Sequence, residues 1–340
     1  MVQLGVKDGI KCFTCIKIAS ENRGCEHFSV GATASSLSLS LNAPASAAIQ
    51  LAFLLLKNYN AMKIKYFEGY QGVRLAADVG GNPVNPAVVL LHGGGQTRHS
   101  WRRAARELVA ADYHVISLDL RGHGESSWAE NGDYSFDAYV NDLKIIIAAL
   151  ETAPALVGAS LGGIISLLTA AELKSTEVSS VVLVDVVPRM EQSGIDAIRS
   201  FMMDNRSGFN SIEEAAETVA RYLPHRQKPA THAGLGKNLR YSSDGRLYWH
   251  WDPVFLEQHD ERNTTLRMEA AAKNFSLPTL LLRGEKSELV TESGVRALTD
   301  LIPHAQYREI GSAGHMVAGD NNDAFNEAII AFISEHARCY

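Results

Sequence analysis

Cysteine is scarce in this sequence. Four occur in 340 residues, at Cys12, Cys15, Cys25 and Cys339, so three fall in the first 25 positions and none near the motifs described below. That excludes a disulfide-stapled body and suits a reducing, cytoplasmic compartment. Cys12 and Cys15 form a C-x-x-C pair, but no second pair follows at zinc-site spacing and no βαβ pattern surrounds it, so these thiols read as inert. No metal site and no cofactor are expected. A basic excess is also lacking. Lys and Arg number 32 against 38 Asp and Glu, a net charge of -6, with both signs mixed along the chain. Nucleic acid is thereby excluded as an expected partner. Long apolar runs are missing too. Ala43 to Leu56, broken by Gln50, is shorter than the ~20 residues a membrane-spanning helix needs, and it begins too deep in the chain for a signal peptide. Nothing repeats at solenoid or propeller periods.

What is present is an ordinary globular composition, 46% hydrophobic and 21% charged. Residues 1–61, rich in Ser and Ala over Ser29 to Ser46, read as a poorly ordered or unassigned extension. Met62 opens a first strand-like segment. From there, apolar runs alternate with amphipathic stretches. The strand candidates are Val73 to Val79, Ala87 to Leu91, His114 to Leu118, Ala155 to Val157, Val181 to Val184, Thr279 to Leu282 and Gln306 to Ile310. Helix-length segments such as Ser100 to Ala111, Phe136 to Glu151 and Leu161 to Leu173 lie between them. Continuous Val/Leu/Ile runs separated by helices predict an α/β fold with a doubly wound, mostly parallel sheet covered on both faces. Residues 62–187 and 278–340 are expected to form that core. Residues 188–277 lack a Val/Leu/Ile strand run and are too long for a simple connection, so they are expected to form an inserted, mostly helical lid. The lid contains a capping box at Ser211-Ile212-Glu213-Glu214.

Three motifs carry chemistry. Gly158-Ala159-Ser160-Leu161-Gly162 fits G-x-S-x-G between a buried strand and a helix, the context in which the serine is presented on a sharp turn as a nucleophile. Val88 to Leu91 leads into His92-Gly93-Gly94-Gly95, a loop whose backbone N–H groups suit a developing oxyanion. The expected donors are the N–H groups of Gly94 and Leu161, with Gly93 as the alternative to Gly94. No G-x-G-x-x-G accompanies these glycines, and no Lys-Ser/Thr follows them, which disfavours a phosphate loop. His315 follows the last strand through Gly311 to Gly314 and is the expected general base. His92 and His123 read as loop structure. A carboxylate must orient His315. Glu288, in the order Ser160, Glu288, His315, is the expected one; Asp185, at the end of the preceding strand, is the alternative, and Glu285 a lesser one. Tyr248, Trp249 and Trp251 form an aromatic cluster expected either to line an apolar substrate pocket or to fill the lid's own core.

Taken together, these motifs, with Asp119 to Ser126 and Ala313-Gly314-His315, resemble the α/β-hydrolase superfamily from about Met62 onward. Within it, the chain resembles the serine esterase and haloperoxidase-like (perhydrolase) branch that carries a lid. The resemblance implies an acyl-enzyme on Ser160, and the composition of the lid suggests a small apolar or aromatic ester-like substrate. A serine at position 160 departs from relatives whose nucleophile is Asp, the epoxide hydrolases and haloalkane dehalogenases. Perhydrolase chemistry, or ligand binding on the same fold, are the alternative functions. Oligomeric state is not legible.

Overall fold

The computed structural model describes residues 62–223, 231–232, 234–258 and 260–336, together with four two-residue strand fragments between residues 2 and 42. Those fragments pair antiparallel, Val2–Gln3 with Lys17–Ile18 and His27–Phe28 with Leu41–Asn42. Residues Met1–Ala61 form a unit separate from Met62–Tyr340. The four cysteines and the apolar run from Ala43 to Leu56 lie outside the described residues. Among the described residues, no helix is long and apolar enough to cross a membrane.

The larger unit is built on one eight-stranded sheet. Its strands are β1 (Lys63–Glu68), β2 (Arg74–Gly80), β3 (Ala87–Leu91), β4 (His114–Leu118), β5 (Ala155–Ala159), β6 (Ser180–Val184), β7 (Thr279–Gly284) and β8 (Gln306–Ile310). Their spatial order is β1-β2-β4-β3-β5-β6-β7-β8. The two pairings that involve β2, with β1 and with β4, are antiparallel, and the rest are parallel. The fold is the α/β, mostly parallel arrangement that the strand runs imply.

Every residue of β3, β4 and β6 is buried, as expected for strands covered on both faces. Alternate side chains enter two different cores. Val89, Leu91, Ile116, Leu156 and Leu183 face one. Val88, Leu90, Val115, Val157 and Val182 face the other, where Leu108 of α1 (Arg102–Ala110) and Phe325 and Ile329 of the C-terminal helix (Asn322–His336) cover them. The first core is closed by α2 (Phe136–Ala148) and α3 (Leu161–Glu172). Each fully buried leucine or isoleucine contributes roughly 1.5–3 kcal/mol through apolar surface removed from water.

Between β6 and β7 the chain forms α4 (Gln192–Asp204), α5 (Ile212–Tyr222), an antiparallel hairpin of Leu239–Tyr241 with Leu247–Trp249, and α6 (Glu261–Ala272). The hairpin is an addition to the helical content read from sequence. It is too short, at three residues per strand, to leave a strand-like run. The capping box is also shifted. Ser211 Oγ accepts the N–H of Glu214, but Glu214 reaches back to the N–H of Asn210 (2.6 Å), one residue beyond Ser211.

One buried ion pair ties the sheet to α2. Arg121, after β4, donates from Nε and Nη2 to the two oxygens of Asp142 on α2 (2.6 and 2.7 Å). Asp142 also accepts the N–H of Tyr70 (2.7 Å), which follows β1. Both side chains are nearly inaccessible, so removing one partner strands the other charge in a low-dielectric interior. We expect Asp142→Ala to lower stability by about 3–5 kcal/mol in urea unfolding. Lys144→Ala, which breaks only the exposed pair with Glu172, should cost less than about 1 kcal/mol.

Candidate active site

Ser160 stands between β5 and α3 with φ 47° and ψ -115°, a conformation an L-residue rarely adopts. The turn is that tight because three backbones meet there. A Cβ on Gly158 would lie 2.3 Å from the Gly162 carbonyl oxygen, and one on Gly162 would lie 2.3 Å from the carbonyl oxygen of Leu91 at the end of β3. The Ser160 N–H donates to Val184 O (3.1 Å), fastening the turn to the end of β6. Leu161, the first residue of α3, has an N–H beyond the reach of any intrahelical acceptor.

The glycine loop lies against this turn. A Cβ on Gly93 would come within 3.4 Å of Ser160 Cβ. The Gly93 N–H is engaged, donating to Gln96 Oε1 (3.2 Å), and that of Gly95 donates to His123 Nε2 (3.1 Å). Among the described residues, no hydrogen bond occupies the N–H of Gly94 or of Leu161. These two N–H groups, unlike that of Gly93, are left without an acceptor among the described residues.

His315 is carried past β8 by the turn at Gly311–Gly314, and its Nδ1 lies 2.7 Å from Asp185 Oδ2. This corrects the expectation that Glu288 orients the histidine. Asp185 follows β6 directly, and β6 runs beside β5 in a register that pairs Val184 with Ala159, so Asp185 emerges level with Ser160. Its carboxylate is fully buried and takes two donors besides His315. Oδ1 accepts the N–H of Gly284 (3.1 Å), and Oδ2 also accepts the hydroxyl of Ser287 (2.6 Å). Ser287 Oγ accepts the N–H groups of Leu289 and Val290, which directs its own proton to Asp185. Glu288, one residue on, is exposed. Glu285 accepts the N–H of Ser312 and so braces the turn leading to His315. With its Nδ1–H given to a carboxylate, the imidazole presents Nε2 as its acceptor nitrogen. Ser160 Oγ and His315 line one cavity, without a hydrogen bond between them in this structure.

A family model described as the alpha/beta hydrolase fold matches residues 86–321. The chain belongs to the α/β-hydrolase fold family. Among curated relatives, an esterase of Mycobacterium tuberculosis is 29% identical over 262 residues, covering 72% of this chain and 81% of that protein. A mouse sn-1-specific diacylglycerol lipase is 28% identical over 261 residues, covering 75% of this chain and 83% of its own length. Among solved structures, E-2-(acetamidomethylene)succinate hydrolase superposes with a TM-score of 0.72 at 24% identity, covering 80% of this chain and 99% of that one.

In this α/β-hydrolase the cavity over Ser160 has a volume of about 1510 Å³ and runs under the segment inserted after β6. Its walls near the elbow are apolar. Trp249 and Trp251 stack at 5.0 Å between ring centroids and both line it, as does Phe255. Tyr248 does not, which corrects its expected place in the pocket. Successive side chains of the hairpin strand point to opposite sides, so Leu247 and Trp249 are buried while the Tyr248 hydroxyl turns outward to Asp244 (2.7 Å). Other lining residues lacked an aromatic signal: Ile195, Ile198 and Met202 of α4. Their helical spacing marks an apolar face, but the sequence does not say what that face meets. Among the described residues, no cluster of His, Cys, Asp or Glu is arranged to hold a metal ion.

His92 and His123 build the loop, as their sequence context implied. His92 is fully buried; Nε2 accepts the N–H of Leu120 (3.1 Å), so Nδ1 carries the proton that meets Gly93 O (2.8 Å). Burial lowers its pKa to about 4. An unfolded chain, with a histidine near 6.5, therefore binds more protons between pH 6.5 and 4. The stability contributed by neutral His92 is present above pH 6.5 and lost as pH falls toward 4. We expect the melting temperature of the protein to drop over pH 6.5 to 4.5. The slope should be shallower in His92→Asn, and identical slopes would show that His92 does not titrate with unfolding.

Proposed function

We propose that this protein is a serine hydrolase that cleaves carboxylic esters, lactones or related acyl compounds through an acyl-enzyme on Ser160. One observation carries the reading: a strained Ser160 shares a cavity with His315, whose far nitrogen is held by the buried carboxylate of Asp185. Substrate carbonyl carbon would be attacked by Ser160 Oγ as His315 Nε2 takes the hydroxyl proton. Asp185 would stabilise the imidazolium without accepting its proton. The N–H groups of Gly94 and Leu161 would hold the oxyanion, each worth about 3 kcal/mol in the transition state. Protonation of the leaving group by His315 would free the alcohol, and water activated by the same nitrogen would release the acid and restore Ser160. The esterase and lipase among the relatives support ester substrates, and the apolar walls at Trp249, Trp251 and Phe255 support an apolar acyl or alcohol part.

With p-nitrophenyl butyrate, Ser160→Ala should lower kcat by ~10⁴ or more and abolish labelling by a fluorophosphonate probe. Full activity in this variant would overturn the mechanism. The acid assignment has its own test. Asp185→Asn, which keeps the shape but favours the wrong histidine tautomer, should cost about 10²–10⁴ in kcat, whereas Glu288→Gln should stay within about twofold. The reverse order would restore Glu288.

A further inference from the structure

We infer that the side of the cavity mouth next to the glycine loop is an anion subsite, so that the preferred substrates are esters bearing a carboxylate or similar acid group that reaches Arg102 and Lys237. The inference deepens the hydrolase reading and rests on it for the word ester.

The cavity that holds Ser160 is apolar near the elbow, but its wall along α1 and the 3₁₀ turn Leu235–Asn238 carries Arg102, Arg103 and Lys237. The carboxylates nearby are already committed. Arg98, buried beneath this wall, binds Asp78, Asp119 and Glu125, and Asp78 also lies 3.8 Å from His99. Arg103 is paired with Glu107 and Asp323. Arg102, Arg106 and Lys237 have no ion pair or side-chain hydrogen bond among the described residues. Lys237 is half-buried, and after burial itself the charges of Arg102, Arg106 and Arg98 push its pKa down, opposed by Asp78. Burial, then the charges of Arg98 and Lys237, lower the pKa of His99, opposed by Asp78 and Asp119.

Arg102, Arg106 and Lys237 repel one another, opposed by Asp78, which is already bound to Arg98, and an anion entering beside Arg102 and Lys237 relieves that repulsion. The cluster also runs against a whole-chain charge of -6, which on its own would repel an anionic substrate. The carboxylates that share the cavity, Glu213 and Glu217 of α5 and Asp260 and Glu261 at the start of α6, come from the insertion, and Glu261 is paired with Arg199. Arg102 and Lys237 are the cations beside the glycine loop, where the reacting carbonyl would lie: Arg102 follows the turn Arg98–Trp101, and Asn238, next to Lys237, accepts the Thr97 hydroxyl (3.0 Å). The insertion's own cations, Arg199 and Arg262, line the cavity beside Glu261. Apolar walls on one side and unpaired cations on the other fit an amphiphilic ester with one acid terminus.

The test compares matched pairs that differ only in whether the acid is free or methyl-capped. One is p-nitrophenyl hemiglutarate against its methyl-capped diester; the other carries the acid on the alcohol part, 3-carboxyphenyl butyrate against its methyl ester. Wild type at low salt should favour the acid member of at least one pair by about tenfold in kcat/KM. In Arg102→Gln/Lys237→Gln that preference should vanish, as it should in wild type at 0.5 M NaCl, where the screening length falls to a few Å. Rates on the methyl-capped esters should change less than twofold. Independently of turnover, glutarate should raise the melting temperature of wild type and leave the double variant unmoved. No preference for either acid, or a preference that survives the double substitution, would overturn the subsite. Absence of all ester turnover alongside an Arg102- and Lys237-dependent glutarate shift would instead sink the hydrolase reading and leave the subsite standing.

Discussion

The site depends on backbones approaching one another where no side chain fits. Gly158 and Gly162 face each other across the turn at Ser160, and Gly162 also rests on Leu91 O, while Gly163 leaves room for Val186. This contact brings the ends of β3, β5 and β6 to one level and presses the loop after β3 against the turn. It also imposes the left-handed φ of Ser160, a local cost of order 1–3 kcal/mol that the surrounding sheet must sustain. Where those three ends converge, the loop N–H groups, the serine and the carboxylate after β6 come together without further design.

Much of this was legible from residues alone. Strands such as Ala87–Leu91 and His114–Leu118 are found at the bounds their apolar runs set. Uninterrupted β-branched runs have few other ways to bury themselves. Ser160 and His315 were legible because glycines mark sharp turns beside them, Gly158 and Gly162 around the serine and Gly311 and Gly314 before the histidine. The acid was not, because the decision between Asp185 and Glu288 is made across strands. Both follow a buried strand, and both precede His315. What separates them is the register of β6 on β5 and the donors offered by Gly284 and Ser287. One local hint existed. A carboxylate directly abutting Val-Val-Leu-Val has no route to solvent and must find buried partners.

The pocket was legible to the extent that its residues follow a period the sequence exposes. Trp249 and Trp251 share a side by strand-like alternation, and the same alternation removes Tyr248. The hairpin that enforces it is too short to announce itself, so the cluster read as three equivalent aromatics. The cationic wall was harder still. Arg102 and Lys237 are separated by 134 intervening positions and meet only because α1 and the turn before the hairpin border the same opening.

Strand order also governs timing during synthesis. The sheet runs from β1 to β8 nearly in chain order, so a nascent polypeptide can lay it down from one edge to the other as it emerges. Ser160 is made near the middle of the chain and His315 follows the last strand. At 5–20 residues per second, the ribosome needs on the order of ten to thirty seconds to travel from one to the other. On the proposed mechanism, Ser160 would be held throughout that interval with no base to deprotonate it. A chain that stalls or is cut before β8 is left without its base. On that mechanism the base would arrive after the segment inserted between β6 and β7, with the C-terminal helix still to follow.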